Sequence, residues 1–469
     1  MENVMSLDIR DFLILNCIVY TKYFCNPKSS YNLVGKSIYD FALNFKYELD
    51  DNNDMPGEVS EEEFENIILT IKTEKDFFEK LKVLDIDNSV YGNLDGSKRV
   101  VNVCFSFENY LILVYKGTSG SLEWFDNANG TYFDVTDTSQ QISALNYFDF
   151  IFKKYCKKSS KVFVTGHSKG GNKAKYVGVM RGEYKNFCAV YSFDGQGFNL
   201  SFLEKYKDKI LCNKHKIYSI SNEYDFVNVI LFSVAKNEIF IKSNTSFGND
   251  KSISSQIMHR YGGWHSPYSM FKVENGRVLL NDIVEQSDLM RNLKYFLNYL
   301  AKNMSKEDNC FMYYTLASYM AKDNLKFFGN DFSKTPRGFY KRFFELIKNF
   351  EKLDKSLSFV EIVNLLRPIF DEIHSEIIIK TYKSKYSITT VIYGDRKEKI
   401  SFIEKLKSND SEVKNIDYEI RFRKIFKKTD SVVKRVFYKN KVKKFIPVES
   451  KSNILNSIFL KLTELKSKF

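Results

Sequence analysis

The chain has 469 residues, of which 43% are hydrophobic and 28% charged, so it holds enough apolar material for a sizeable buried core. Six prolines and 21 glycines exclude collagen-like and linker-type chains, and no apolar run reaches the roughly 18–20 residues of a membrane helix. Seven scattered cysteines without a C-x-x-C pair, in a chain of net charge +13, predict neither a disulfide framework nor a zinc site, and a reducing cytoplasm as the compartment.

In chain order, the start M-E-N-V-M-S-L-D-I-R-D is acidic where a secretory leader is basic. Residues 7–24 read as a buried helix, and residues 47–58 as an acidic loop around Pro56-Gly57. Ser60 followed by Glu63 is a capping-box pattern that opens a helix to about residue 82. Arg99–Phe107 and Tyr110–Lys116 read as a strand pair turning at Glu108-Asn109. A helix over 140–158, a strand Val162–Thr165, a helix Asn172–Met180 and short strands Ala189–Phe193 and Lys216–Ile220 follow. Strands alternating with helices at this spacing predict a mostly parallel sheet covered by helices, an α/β fold. The pattern is helical from about 286 to 370. The basic character lies beyond that: 24 of the 71 Lys+Arg but only 13 of the 58 Asp+Glu fall in residues 371–469. The expected organisation is an α/β domain over 1–290, a helical segment over 291–370 and a basic region over 371–469.

Residues 161–171, K-V-F-V-T-G-H-S-K-G-G, contain G-x-S-x-G as Gly166, Ser168 and Gly170. A nucleophilic serine must project from a tight turn between a strand and a helix, and glycines two before and two after leave room for that turn. The helix that begins there directs its free N–H groups at a developing oxyanion. An apolar strand before the pattern and a helix-compatible stretch after it supply the required context.

A serine nucleophile needs a base and an orienting acid. Of the five histidines, His167 sits inside the turn and is expected to point away from the Ser168 hydroxyl; His215 precedes a strand, and His374 lies far downstream. His259 and His265 flank a glycine-containing loop after the last core strand, and His265, followed by Ser266-Pro267-Tyr268, is the favoured base. The acid should follow a strand between serine and histidine. Asp194 and Asp225 both qualify, with Glu223 a weaker rival; Asp225 lies one strand later and is preferred. The oxyanion donors are expected at the N–H of Lys169 and at Thr118, where the strand L-V-Y-K runs into Gly117-Thr118.

The ordered blocks V-Y-K-G-T (114–118), E-W (123–124), V-T-G-H-S-K-G-G-N-K-A (164–174), S-F-D-G-Q-G-F (192–198), N-E-Y-D-F-V (222–227) and H-S-P-Y-S (265–269) resemble the Mbeg-like family of bacterial lipase-like hydrolases, which are related to the class 3 lipases. The likeness runs from roughly residue 8 to 330. It implies an α/β-hydrolase fold, Ser168 as nucleophile, Asp225 as acid, His265 as base and Thr118 as the oxyanion threonine. The S-F-D-G block corresponds to a strand end that does not carry the triad acid, which counts against Asp194. Lys116, Lys169 and Met270 depart from the family pattern. The cation of Lys169 beside the nucleophile is expected to favour an anionic substrate.

The expected activity is hydrolysis of carboxylic esters of lipid or other acyl substrates, with no cofactor or metal. The other expectation is a catalytically weak binding or regulatory protein on a hydrolase fold. Residues 119–139, with Trp124 and Phe125, read as a surface loop, with a lid or acyl-contacting loop as the other reading. The segment 452–469 has apolar residues at helical spacing among lysines, a pattern that can lie on an anionic membrane. Nucleic acid is the disfavoured partner of the basic region, and the expected location is cytoplasmic, peripheral to the membrane where that segment docks.

Overall fold

The computed structural model describes residues 7–48, 59–88, 100–118, 121–131, 135–245, 263–321 and 336–353, and four strands between 378 and 424. Two compact units divide the chain, one taking residues 1–247 and 259–336 and the other residues 248–258 and 337–469.

The first unit is built on an eight-stranded sheet of order β1-β2-β3-β4-β5-β6-β7-β10. Its strands are β1 (Lys82–Asp87), β2 (Asn102–Phe107), β3 (Tyr110–Tyr115), β4 (Lys161–His167), β5 (Phe187–Phe193), β6 (Ile217–Asn222), β7 (Asn237–Ile241) and β10 (Ile283–Val284). The run β3 to β7 is parallel, and antiparallel pairs flank it at both ends. Strand β3, Y-L-I-L-V-Y, illustrates why such strands read as continuous apolar runs. Ile112 and Val114 face one core, while Leu111, Leu113 and Tyr115 face the other, so both faces are dry. On the first face lie helices α1 (Ile9–Ile18) and α2 (Glu61–Thr73). On the second lie α4 (Ser139–Tyr155) and α5 (Lys169–Arg181), with α3 (Ser121–Asn129) preceding them. Each fully buried Leu, Ile or Phe in these layers contributes roughly 1.5–3 kcal/mol.

Three of these helices start at a reciprocal cap that their sequences supply. Ser60 accepts from the Glu63 N–H while Glu63 accepts from the Ser60 N–H, the reciprocal box read from the sequence. Asp8 and Asp11 form the same device at α1, and Thr138 and Gln141 at α4. The hairpin at Glu108-Asn109 forms between β2 and β3, with Glu108 at φ 53°.

Three features exceed the sequence expectations. Strands β1 and β7 extend the sheet at its two sides. A separate hairpin of β8 (Phe271–Glu274) and β9 (Arg277–Leu280) turns at Asn275-Gly276, both at positive φ. That is the two-residue turn an Asn-Gly pair favours. The helical segment after 286 consists, among the described residues, of α6 (Asp288–Asn303), α7 (Lys306–Ala321) and, in the second unit, α8 (Phe339–Leu353). The second unit adds a four-stranded antiparallel sheet, β11 (Ile378–Lys383), β12 (Ser387–Tyr393), β13 (Glu398–Lys405) and β14 (Asp417–Lys424), paired in chain order. The segments around Pro56-Gly57, His259, His374 and 452–469 lie outside the described residues.

Candidate active site

Ser168 stands between β4 and α5 with φ 58° and ψ −125°, a left-handed conformation that a non-glycine residue adopts at a cost. The chain can make this bend because its neighbours are glycines. A Cβ on Gly166 would stand 2.1 Å from the Gly170 carbonyl oxygen, and one on Gly170 would stand 1.8 Å from the Tyr115 carbonyl oxygen. The Ser168 N–H donates to the Phe193 carbonyl at 2.9 Å, which ties the bend to β5.

His265 Nε2 lies 2.8 Å from Ser168 Oγ, and His265 Nδ1 lies 2.7 Å from Asp225 Oδ1. A carboxylate only accepts, so Nδ1 carries the proton and Nε2 offers its lone pair to the serine hydroxyl. Asp225 follows β6 and is buried. Its other oxygen accepts from the Asn228 backbone N–H at 2.8 Å and side-chain amide at 3.1 Å, so the carboxylate is held on both edges.

The other candidates make different contacts. Asp194 is buried with φ 45°, and its Oδ1 accepts from the Asn222 N–H at 2.9 Å. Burial and the nearby Asp225 charge hold its carboxyl well above the usual range, which favours its neutral form. Glu223 accepts from the Ser243 N–H at 3.1 Å. His215 lies in the short turn before β6. His167, one residue before the serine, is turned toward Tyr20 and the His265 backbone.

Thr118 ends the segment after β3. Its hydroxyl accepts from Asn127 Nδ2 at 2.9 Å. The adjacent Gly117 comes so near that a Cβ there would stand 3.2 Å from Ser168 Cβ. Lys169 occupies the first helical position of α5, where a backbone N–H has no partner within the helix. Its side chain does not face outward as a cation beside Ser168. Nζ is buried and 2.8 Å from Asp126 Oδ2, so the charge on which an anionic-substrate preference would depend is neutralised within the protein.

The segment 119–139, expected to be a loop, is partly helix, α3, which lies against α7. Trp124 is half-buried, and Glu123 and Asp126 are buried. Asp126 also accepts from the Thr138 hydroxyl at 2.7 Å and the Gln140 N–H at 3.2 Å. Buried beneath it are Lys116, 3.9 Å from Glu123, and Lys173. Tyr20, Asp126 and Asn127 are the polar residues of this neighbourhood that the sequence reading does not single out. The Asp-Asn pair after E-W carries a faint signal; Tyr20 carries none.

His167, Asp194 and His265 could each offer a ligand atom to a cation, and those atoms lie within 4.8 Å of one another. Both nitrogens of His265 are already hydrogen-bonded, and His167 Nε2 is 2.8 Å from the His265 carbonyl, so a cation would have to break this network. Among the described residues, no helix is long and apolar enough to cross a membrane.

Among solved structures, the chain is similar to the Lip2 lipase from Yarrowia lipolytica, at 16% identity over 44% of this chain and 84% of that one, with a TM-score of 0.31. It is similar to M37 lipase at 15% identity over 46% and 68% of the two chains, with a TM-score of 0.27. A triacylglycerol lipase from Penicillium expansum aligns at 8% identity over 35% and 70%, with a TM-score of 0.24. No curated protein matches the chain. The parallel sheet, its flanking helices and the strand-turn-helix at Ser168 make the first unit an α/β hydrolase in fold. The Mbeg1-like family model matches residues 73–262, narrower than the sequence blocks imply and ending three residues before His265. The matched residues, 73–262, run from β1 through the turn at Ser168 to beyond Asp225, and over them the chain is similar to the Mbeg1-like family.

Proposed function

We propose that this protein is a serine hydrolase that cleaves carboxylic esters, with an acyl chain of a lipid or another acyl compound as substrate. The observation that carries the reading is the continuous pair of contacts Ser168 Oγ–His265 Nε2 and His265 Nδ1–Asp225 Oδ1, at 2.8 and 2.7 Å. In the first half-reaction, His265 takes the Ser168 proton as Oγ attacks the ester carbonyl. Asp225 holds the imidazole in the Nδ1–H tautomer and stabilises the imidazolium. The Lys169 N–H and Thr118 receive the oxyanion, an arrangement in which one donor is typically worth about 2.7–4 kcal/mol. The imidazolium then protonates the leaving alcohol, and an acyl-enzyme remains. Water, deprotonated by His265, releases the acid and regenerates Ser168.

Turnover of p-nitrophenyl esters of increasing chain length tests this reading, with Ser168→Ala as the blank. Release of nitrophenolate by the wild type alone is the expected result, and the chain length of fastest turnover defines the acyl preference. Equal rates for the two proteins would leave a binding protein on a hydrolase fold. A peripheral membrane contact through the basic segment 371–469 is part of the same proposal. Its signature is binding to anionic vesicles that weakens steeply with salt.

A further inference from the structure

Two histidines meet at this site, and the reaction uses one of them. His167 is buried, and its ring centroid lies 4.8 Å from that of His265. It points as it does because of β4. Thr165 and His167 are two residues apart and therefore share one face of the sheet. That face is covered by α1, whose Asn16 amide donates to the Thr165 hydroxyl at 2.8 Å. Tyr20 follows the end of α1, and its hydroxyl lies 3.0 Å from His167 Nδ1.

The hydrogen-bond directions follow from elementary chemistry. The His265 carbonyl, 2.8 Å from His167 Nε2, can only accept, so Nε2 carries the proton. Burial, with the neighbouring His265, holds His167 well below the usual imidazole value, so the ring is neutral and Nδ1 has a lone pair. The Tyr20 hydroxyl therefore donates to Nδ1. The same oxygen accepts from the Gly117 N–H at 3.1 Å. The result is one consistent chain: Gly117 N–H to Tyr20 Oη, Tyr20 O–H to His167 Nδ1, and His167 Nε2–H to the backbone carbonyl of His265. Gly117 suits this chain by its lack of a side chain, because a Cβ there would stand 2.1 Å from the Tyr20 hydroxyl.

We propose that Tyr20, acting through His167, is a positioning residue: it fixes the segment carrying Gly117 and Thr118 and the backbone of His265 at one mutual distance. The inference rests on the hydrolase reading for its consequence, since a gap opened between oxyanion donors and base slows attack without weakening ester binding. The hydrogen-bond chain itself stands independently of that reading.

Two measurements test it. Tyr20→Phe removes one oxygen and keeps the ring. The expected result is a kcat on a p-nitrophenyl ester about tenfold lower or more, since both hydrogen bonds of the Tyr20 hydroxyl are lost, with KM nearly unchanged and a melting temperature lowered by only a few degrees. His167→Gln, which keeps a donor toward the His265 carbonyl, should retain more of kcat than His167→Phe. An unchanged kcat in Tyr20→Phe, or a loss that only follows melting temperature, overturns the proposal. Nitrogen-15 spectra of the histidine rings need no activity. His167 should be the Nε2–H tautomer at neutral pH, with its Nδ1 resonance displaced in Tyr20→Phe. An Nδ1–H tautomer, or no displacement, overturns the hydrogen-bond chain. A wild type without esterase activity but with these spectra would instead count against the hydrolase reading alone.

Discussion

On one side of Ser168 lie Tyr20, His167, His265 and Asp225, joined by hydrogen bonds of 2.7–3.0 Å in which donors and acceptors alternate without conflict. On the other side, beneath α3, lie Lys116, Glu123, Asp126, Lys169 and Lys173, all buried. The first side carries one formal charge, on Asp225, and that charge is held by Asn228. The second packs three potential cations against two carboxylates. Lys169 and Asp126 make a 2.8 Å pair, while Lys173 Nζ is buried without a hydrogen bond. A proton transfer needs a fixed tautomer and direction, which hydrogen bonds give. Anchoring a helix needs only attraction, and charges give that at the cost of desolvation. The comparison therefore separates variants that affect rate from variants that affect stability.

The largest contrast lies between two carboxyls. Asp225→Asn should lower kcat by about 10⁴-fold, because the amide favours the wrong tautomer of His265. Asp194→Asn should leave kcat near the wild-type value, because burial and Asp225 favour the neutral form of Asp194 and asparagine matches its shape. Its removal should show in stability. A raised carboxyl pKa means that the folded protein holds a proton the unfolded chain has lost, so wild-type stability falls as pH rises above about 4. The variant should show less of that fall in urea titrations at several pH values. A large kcat loss in Asp194→Asn would reverse the assignment of the two acids.

The next effect belongs to the charged side. Asp126→Ala strands the Lys169 ammonium and frees Thr138 and the Gln140 N–H. Breaking a buried pair in this way typically costs about 3–5 kcal/mol, measurable as a shift of the urea midpoint. Removing both partners, as Asp126→Leu with Lys169→Met, should recover much of that loss. No recovery would mean that α3 is held by something other than this pair.

How much of this was legible in the sequence depended on distance along the chain. The turn at Ser168 is local, since strand, glycines and helix lie within 21 consecutive residues from Lys161 to Arg181. The preference for Asp225 came from counting strands, which short buried runs such as Ile217–Ile220 allow. Strand β1, K-V-L-D-I-D, hides because its alternation is broken by an irregularity between Val83 and Asp85. Strand β7, N-E-I-F-I, is near the edge and only partly apolar. The Asn275-Gly276 turn is marked locally, since an Asn-Gly pair favours a two-residue hairpin turn. Tyr20 could not be read, because its partners lie 97 and 147 residues away and nothing local marks its hydroxyl. Lys169 is next to Ser168 in sequence, but the partner of its charge in space is Asp126, 43 residues away along the chain.

The smallest expected effect concerns Lys173, whose pKa burial lowers to about 7 from 10.5. Between those values the unfolded chain holds a proton that the folded protein has lost, so stability rises with pH across the window. Lys173→Met should flatten that rise and raise stability at neutral pH. Lys175, lowered to about 7 by burial in the same direction, leaves part of the slope in place. An unchanged slope would mean that Lys173 stays charged and solvated.

The central claim is that the Ser168 hydroxyl is a nucleophile activated by His265. Incubation with a fluorophosphonate followed by peptide mapping tests it most directly. A single phosphonyl adduct on Ser168, absent in Ser168→Ala and formed far more slowly in His265→Gln, is the expected result. An unmodified Ser168 in the folded wild-type protein, or labelling at an equal rate in His265→Gln, would contradict it.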